Sequence, residues 1–399
     1  MRAEQQAEPA GRMLGGAGGQ RTIRALFIMP DLGGGGAERS LLELLERLDR
    51  RRIEPSLLLL KREGVYLDRV PEEVGFWWAC RSGTQLRYHV PSIVRSALLR
   101  GAQSDVIVGA METTATYVAW LAASVLRKPL VGWVRTDLDE YLAPLPEWHR
   151  WAARQMYRRC GAVVTSSGGS ARSLQRVAPV STAKLHVIQI PVDAEEVRAL
   201  ASEPLPIAGE MLLAKPFILG VGRLRNSHKG FDLLVRAHAE VRRRGMDHNL
   251  VILGEGEDRG SLQQLAESLD LKDSVWMPGF QRNPFPFFRA ATALAAPSRL
   301  EGFGRTYLEA MALGLPVIGS TASGPVEILQ CGKYGITVPS EDIGALSDAM
   351  YSLLADAGTR ARYAQRSLDR VRDYRPEPVA LQWDEMLCSV AMSERDRWS

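Results

Sequence analysis

At 399 residues, 46% of them hydrophobic, the chain has apolar material for two ordinary cores, since a single core stops growing near about 250 to 300 residues. It holds no uninterrupted apolar run of about 18 residues, and its opening MRAEQQAEPAGRMLGGAGGQ lacks the apolar middle of a secretory signal, so a soluble cytoplasmic protein is expected. The net charge of +4 divides unevenly, with 26 Lys/Arg against 18 Asp/Glu in residues 1–190 and 24 against 28 after them, while the four scattered cysteines (Cys80, Cys160, Cys331, Cys388) suggest neither a disulfide framework nor a zinc cluster.

Residues 1–20, rich in Gly, Ala and Gln, read as a disordered tail. From there the runs IRALFIMP, EPSLLLL, GFWWAC, DVIVGA, LVGWVR, GAVVTSS and KLHVIQIP alternate with helical patterns over residues 21–190. PFILGVG, NLVILGEG, SVWMPGF, ALAAPS, PVIGST and GITVPS do the same over residues 215–373. Hydrophobicity that is continuous along each run, with helices between, predicts parallel sheets covered on both faces and hence two doubly wound Rossmann-like domains. The Pro-, Ala- and acid-rich stretch 191–214 is the expected linker, and 374–399 is a helical segment carrying Trp383, whose docking place the sequence does not fix.

Between Glu147 and Asp193 there is no acid, yet the stretch contains Arg150, Arg154, Arg158, Arg159, Arg172, Arg176 and Lys184. A helix over EWHRWAARQMYRRCG interleaves Trp148, Trp151, Ala152, Met156 and Tyr157 with arginines, which suits an anionic membrane surface or a diphosphate-linked acceptor. A solvated basic face beside an ordinary core is the alternative. No stacking platform or nucleic-acid motif accompanies these cations, so nucleic acid is not an expected partner.

In doubly wound sheets ligands sit beyond the carboxyl ends of the strands. After IRALFIMP comes DLGGGGAERSLLELL, where Gly33, Gly34, Gly35 and Gly36 lead into an amphipathic helix. Glycine admits close backbone approach and a helix N-terminus favours an anion, although a flexible turn reads the same way. A dinucleotide fingerprint starting at Gly33 needs glycine where Glu38 stands, and the next strand ends in Lys61 and Arg62 rather than a ribose-binding acid, which disfavours a nicotinamide oxidoreductase. After PFILGVG, the loop GRLRNSHKG carries Arg223 and Lys229, two cations able to neutralise a diphosphate unless they are incidental loop charges. In SRLEGFGRTYLEAMALG, Glu301 follows the strand ALAAPS and Glu309 lies eight positions on, expected two turns into the helix that GFG introduces. Such spacing returns to one face, so one carboxylate can accept from sugar hydroxyls and the other from a ribose, with free helix N–H groups beside them for a phosphate. STASGPVEILQ adds a Gly324-Pro325 turn before Glu327.

Taken together, GVGRLRNSHKGFDLLVRA, the E-x7-E of Glu301 and Glu309, and PVIGSTASGPVEIL resemble the retaining glycosyltransferases of family four, which have the GT-B fold of two facing Rossmann-like domains with a cleft between them. The resemblance runs from roughly residue 22 to 390 and is densest over 216–340. It implies that Arg223 and Lys229 hold the donor diphosphate, Glu301 the sugar hydroxyls and Glu309 the ribose, with Arg223, Lys229 and Glu301 as the catalytic set. The N–H groups of Gly302, Phe303, Gly304, Arg305 and Thr306 are then expected to face the sugar or its phosphate, and Gly222 with Gly34, Gly35 and Gly36 to complete the donor site. The glycine loop with the following AER is similar to the subgroup that builds lipid-linked oligosaccharides and surface polysaccharides. That implies a saccharide or polyprenyl-diphosphate-linked acceptor and attachment to the inner face of the plasma membrane.

Many members carry histidine after the strand matching LVGWVR; this chain has Arg135-Thr136-Asp137, which makes Arg135 and Asp137 the acceptor-side candidates. The family further implies transfer of a hexose or N-acetylhexosamine from a UDP-sugar with retention, without a metal ion or other cofactor. Asp137-Leu-Asp139 is a DxD-like pair and reads as a helix cap or an acceptor contact. A sugar-nucleotide epimerase of the same fold and a non-catalytic sugar-nucleotide-binding protein are the alternatives.

Overall fold

All seven apolar runs of the first half and all six of the second are strands, because a run hydrophobic on both faces is buried only between two helical layers. The computed structural model describes residues 21–205 and 214–393; the tail read as disordered and residues 206–213 of the expected linker lie outside the described residues. The first sheet comprises β1 (Ile23–Met29), β2 (Ile53–Lys61), β3 (Gly75–Cys80), β4 (Val106–Gly109), β5 (Leu130–Val134), β6 (Ala162–Thr165) and β7 (Leu185–Val187), in the order β3-β2-β1-β4-β5-β6-β7. The second comprises β8 (Phe217–Val221), β9 (Asn249–Leu253), β10 (Val275–Gly279), β11 (Ala293–Ala296), β12 (Val317–Ser320) and β13 (Ile336–Val338), in the order β10-β9-β8-β11-β12-β13.

Neighbouring strands are parallel, with Ile23 opposite Ile53 in the first sheet and Phe217 opposite Asn249 in the second. Alternation along β1 sends Ala25, Phe27 and Met29 into one helical layer and Leu26 and Ile28 into the other. In each sheet the strand order reverses beside the first strand, β1 or β8, and it is at such switch points that a crevice opens beyond the carboxyl ends. The loops that leave those two strands are the glycine run and the Arg223–Lys229 loop.

The chain crosses between domains twice, and the crossings touch: Val192 N donates to Tyr374 O at 3.0 Å. The described part of the expected linker is largely helix, Ala194–Ala201, capped by the Asp193 carboxylate, which accepts from Glu195 N and Glu196 N at 3.0 Å each. Its Val197 and Ala201 are buried in the second domain's core. On the return crossing, the helix Pro376–Ser393 docks on the first domain, where the Trp383 ring lies 4.5 Å from Trp133 and 6.3 Å from Phe27. Sequence periodicity could not place this helix because its partners are more than 200 positions away.

The helix over the basic stretch forms as Glu147–Arg159, with one correction. Ala152, Met156 and Tyr157 do not share an open face with the arginines; all three are buried, Met156 and Tyr157 in the first domain's core, leaving Trp148 and Trp151 57% and 63% exposed. Among the described residues no helix is long and apolar enough to cross a membrane.

Candidate active site

Two loops at the carboxyl edge of the second sheet are stitched into one unit. His228 O accepts from both Arg299 N (2.8 Å) and Leu300 N (3.0 Å), and the Arg299 guanidinium forks onto Asp232 at 2.6 and 2.9 Å. Gly230, at φ +65°, lets the short helix Asn226–Lys229 turn into the next one; a Cβ there would lie 2.3 Å from Pro297 O. This stitching brings Lys229 and Glu301 together, Nζ donating to Oε2 at 2.5 Å, with the two side chains 25% and 15% exposed. Gly222 leaves room for the Lys229 stem, which a Cβ would meet at 3.3 Å. Arg223 stands exposed on the same loop and forms no ion pair among the described residues.

The glycine-led turn after Glu301 is tighter than its sequence suggests. Gly304 sits at φ +97°, so the helix begins only at Arg305 and Glu309 lies one turn into it rather than two. Phe303 is buried, its ring edge-on to Tyr374 at 5.9 Å. Gly302 is pressed against the first domain: a Cβ would lie 2.3 Å from Arg135 O, and its carbonyl accepts from Ser167 Oγ (2.7 Å) and Ser170 Oγ (3.1 Å). Thr306, in the first turn, is half-buried.

From the first domain the glycine loop lies in the cleft. A Cβ on Gly34 would meet the Phe280 ring at 3.1 Å and one on Gly36 the Arg305 stem at 3.7 Å, while Gly35 caps the helix Gly36–Arg47. Arg305 and Glu309 are themselves buried and turn to that helix, where Arg39 and Glu43 meet them.

Arg135 is buried with its guanidinium 3.5 Å over the Trp133 ring; Nη1 donates to Ala37 O, its backbone N donates to Glu112, and Nε and Nη2 have no hydrogen-bond partner among the described residues. Burial pulls this guanidinium down to about 10 against the attraction of Glu112 and Glu38. Burial likewise pushes both carboxyls up, Glu38 against the pull of Arg135 and Arg223.

Asp137 spans the domains, accepting from Ser323 Oγ at 2.8 and 2.7 Å, and burial raises its pKa. Asp139 points elsewhere, to Arg176 at 2.5 Å, so the two acids of the DxD-like pair diverge, and Asp137 makes no side-chain cap on the helix it precedes. Glu327 also bridges domains, accepting from Gly168 N at 2.8 Å. Among the described residues no group of three or more His, Cys, Asp or Glu is placed to hold a metal ion.

Arg223, Lys229, Glu301 and Gly302 thus share one mouth of the cleft, and Arg305 and Glu309 lie at the domain boundary. Sequence reasoning passed over Arg39, Glu43, Ser167, Ser170, Ser323 and Glu112. The available signal was a pair of charges one turn apart, Arg39 and Glu43, directly after the glycine run, which amphipathicity alone assigns to solvent.

Comparison with known proteins bears on the family and the fold. Residues 34–196 match the model of Glycosyltransferase Family 4, and residues 211–370 match that of the Glycosyl transferases group 1. The chain is 27% identical over 271 residues to the alpha-D-kanosaminyltransferase of Streptomyces kanamyceticus, covering 63% of this chain and 68% of that one. It is 26% identical over 226 residues to the N-acetylgalactosamine-N,N'-diacetylbacillosaminyl-diphospho-undecaprenol 4-alpha-N-acetylgalactosaminyltransferase of Campylobacter jejuni, covering 56% and 59%. An uncharacterized glycosyltransferase of Methanocaldococcus jannaschii is 29% identical over 231 residues, 50% of this chain and 56% of that one, so the match spans little more than half of several such relatives. Among solved structures, Anabaena HepE in complex with UDP and glucose superposes with a TM-score of 0.78 at 19% identity, over 92% of this chain and 100% of that one. With one family model over each half of the chain and the fold matched across both domains, the chain belongs to the GT-B glycosyltransferases of the group 1 and family 4 type.

Proposed function

We propose that the protein is a retaining glycosyltransferase that takes a hexose or N-acetylhexosamine from a UDP-sugar and passes it to a saccharide or a polyprenyl-diphosphate-linked saccharide. The observation that carries this reading is the grouping of Arg223, Lys229 and Glu301 on two stitched loops at the carboxyl edge of the second sheet, opposite the glycine loop of the first. In this reading Arg223 and Lys229 neutralise the diphosphate, Glu301 accepts from the sugar hydroxyls, and Glu309 accepts from the ribose. As the bond from the anomeric carbon to the diphosphate oxygen breaks, charge develops on the leaving group and is met by these two cations. The acceptor hydroxyl attacks from the leaving-group side and passes its proton to the departing phosphate. This assigns the stabilisation to side chains rather than to a metal ion.

UDP is the favoured nucleotide because HepE was solved with it, and a lipid-linked acceptor is supported by the name of the Campylobacter relative. Arg135 and Asp137, beyond the end of β5, belong to the acceptor side, and the two unpartnered nitrogens of Arg135 support that role. Peripheral attachment to an anionic membrane is supported by exposed Trp148 and Trp151 beside Arg154, Arg158 and Arg159 on one helix. The test is a thermal-shift panel of UDP, GDP and ADP sugars: a ligand at 100 times its Kd stabilises by about 2.7 kcal/mol. Stabilisation by none of them removes the donor assignment.

A further inference from the structure

Four buried charged side chains meet at the boundary between the domains. Arg39 and Glu43 stand one turn apart on the helix Gly36–Arg47 of the first domain, and Arg305 and Glu309 one turn apart on the helix Arg305–Ala312 of the second. Arg305 forks onto Glu43 at 2.8 and 2.6 Å and sends its Nε to Glu309 Oε1 at 2.9 Å. Arg39 closes the ring, with Nε on Glu43 Oε1 at 2.9 Å and Nη1 3.5 Å from Glu309 Oε1. The two positive and two negative charges cancel. Burial alone would raise the Glu43 carboxyl, but Arg305 and Arg39 hold it below the ordinary carboxylate range.

A buried ion cluster contributes little net stability over apolar packing of the same volume, whereas it does fix orientation. Here one oxygen is left over: Glu309 Oε1 is gripped by a guanidinium from each domain, while no hydrogen bond among the described residues engages Oε2. We propose that Arg39, Glu43 and Arg305 are positioning residues that aim Glu309 Oε2 at the donor's ribose hydroxyls, so that ribose recognition in the second domain requires the first domain to be docked. This rests on the reading of Glu309 as the ribose carboxylate. Glu43 anchors the Arg305 fork; without that anchor the Arg305 charge is balanced only by Glu309, and the guanidinium competes with the ribose for Oε2. Arg39 supplies the contact to Glu309 that comes from the other domain.

The experiment compares the affinity of UDP with that of 2′,3′-dideoxy-UDP by titration calorimetry in wild type, Glu309→Gln, Glu43→Gln and Arg39→Gln. Wild type is expected to prefer UDP by about 10- to 100-fold, the scale of hydrogen bonds to a charged group. Glu309→Gln should bring the ratio near one. Glu43→Gln and Arg39→Gln should bring it within about threefold of one while dideoxy-UDP binds about as in wild type, a change that a merely structural role would not produce. If Glu43→Gln does not fold, Arg39→Gln decides, because Glu43 and Glu309 both keep Arg305. A wild-type ratio in Glu43→Gln and Arg39→Gln, with the ratio lost in Glu309→Gln, overturns the positioning role and leaves the ribose reading standing. A wild-type ratio in Glu309→Gln, or none in wild type, overturns the ribose reading and this inference with it.

Discussion

Glu301→Gln separates the two jobs that the donor loops combine. Lys229 is held by Glu301 at 2.5 Å, in a pair whose side chains are only 25% and 15% exposed. At an effective dielectric constant of about 20, unit charges at that separation attract by about 7 kcal/mol before desolvation, and measured part-exposed pairs retain about 1 kcal/mol of it. A diphosphate arriving at Lys229 works against that coupling and against the carboxylate's own charge. Neutralising Glu301 removes both, so UDP should bind no more weakly than to wild type and up to about fivefold more tightly, which is about 1 kcal/mol. Transfer should nonetheless fall by about 100-fold or more, the scale for removing one transition-state contact to the sugar. Calorimetry with UDP and a single-turnover transfer assay on the same preparation measure the two quantities, with circular dichroism as the check on folding. A tenfold or larger loss of UDP affinity in folded Glu301→Gln would show that the pair binds nucleotide as a unit, and unchanged turnover would remove Glu301 from the sugar.

Arg223→Ala and Lys229→Ala should each weaken UDP by about 1.5 to 3 kcal/mol and leave uridine unaffected, and equal losses for nucleotide and nucleoside would mean that the phosphates lie elsewhere. Trp383→Ala should cost about 3 to 5 kcal/mol in urea unfolding, because the ring is buried against Trp133 and Phe27; a loss below about 1 kcal/mol would mean that the helix Pro376–Ser393 does not complete the first core. His238, fully buried with Nδ1 2.8 Å from His248 Nε2 and Nε2 3.0 Å from Ser274 Oγ, is pulled down to about 2 by burial together with His248 and Arg242. The native state keeps this imidazole neutral while the unfolded chain takes up a proton below 6.5, so stability drops as pH falls, by about 2 kcal/mol between pH 6.5 and 5; urea melts of His238→Gln over that range should show a flatter slope. Wild type should co-float with anionic but not neutral vesicles at low salt, and reversing Arg158 and Arg159 to Glu, which spares the backbone contacts of Arg150 and Arg154, should abolish it; unchanged flotation removes the membrane face.

How far the chain could be read without coordinates follows the range of the forces involved. Strands were legible because continuous apolar runs state their burial on both faces, and the parallel order followed from the helices between them. The closeness of Lys229 and Glu301 was legible because each lies on a loop leaving the carboxyl end of neighbouring strands of one sheet. Whether Ala152, Met156 and Tyr157 are core stays open in the sequence because an arginine-rich helix looks open all round until the sheet beneath it is known; all three are buried. The sequence of the glycine loop does not announce its neighbours across the cleft, Phe280 beside Gly34 and Arg305 beside Gly36.

What no local pattern announces is chemistry shared between domains. Gly302, Asp137, Glu327 and Arg305 each have their decisive partner in the other domain, more than 130 positions away in sequence. These contacts are hydroxyl to backbone carbonyl, hydroxyl to carboxylate, amide to carboxylate and guanidinium to carboxylate, and water can replace each of them when the domains part. Inter-domain faces of this polar kind permit relative motion, whereas the apolar docking of the Pro376–Ser393 helix does not. The two crossings, joined at Val192 N and Tyr374 O, are the covalent links between the domains, so any such motion bends the chain there. The hydroxyls of Ser167, Ser170 and Ser323 lie on the opposite side of the domain boundary from their partners Gly302 and Asp137, so any parting of the domains breaks these bonds beside Glu301 and any closing remakes them.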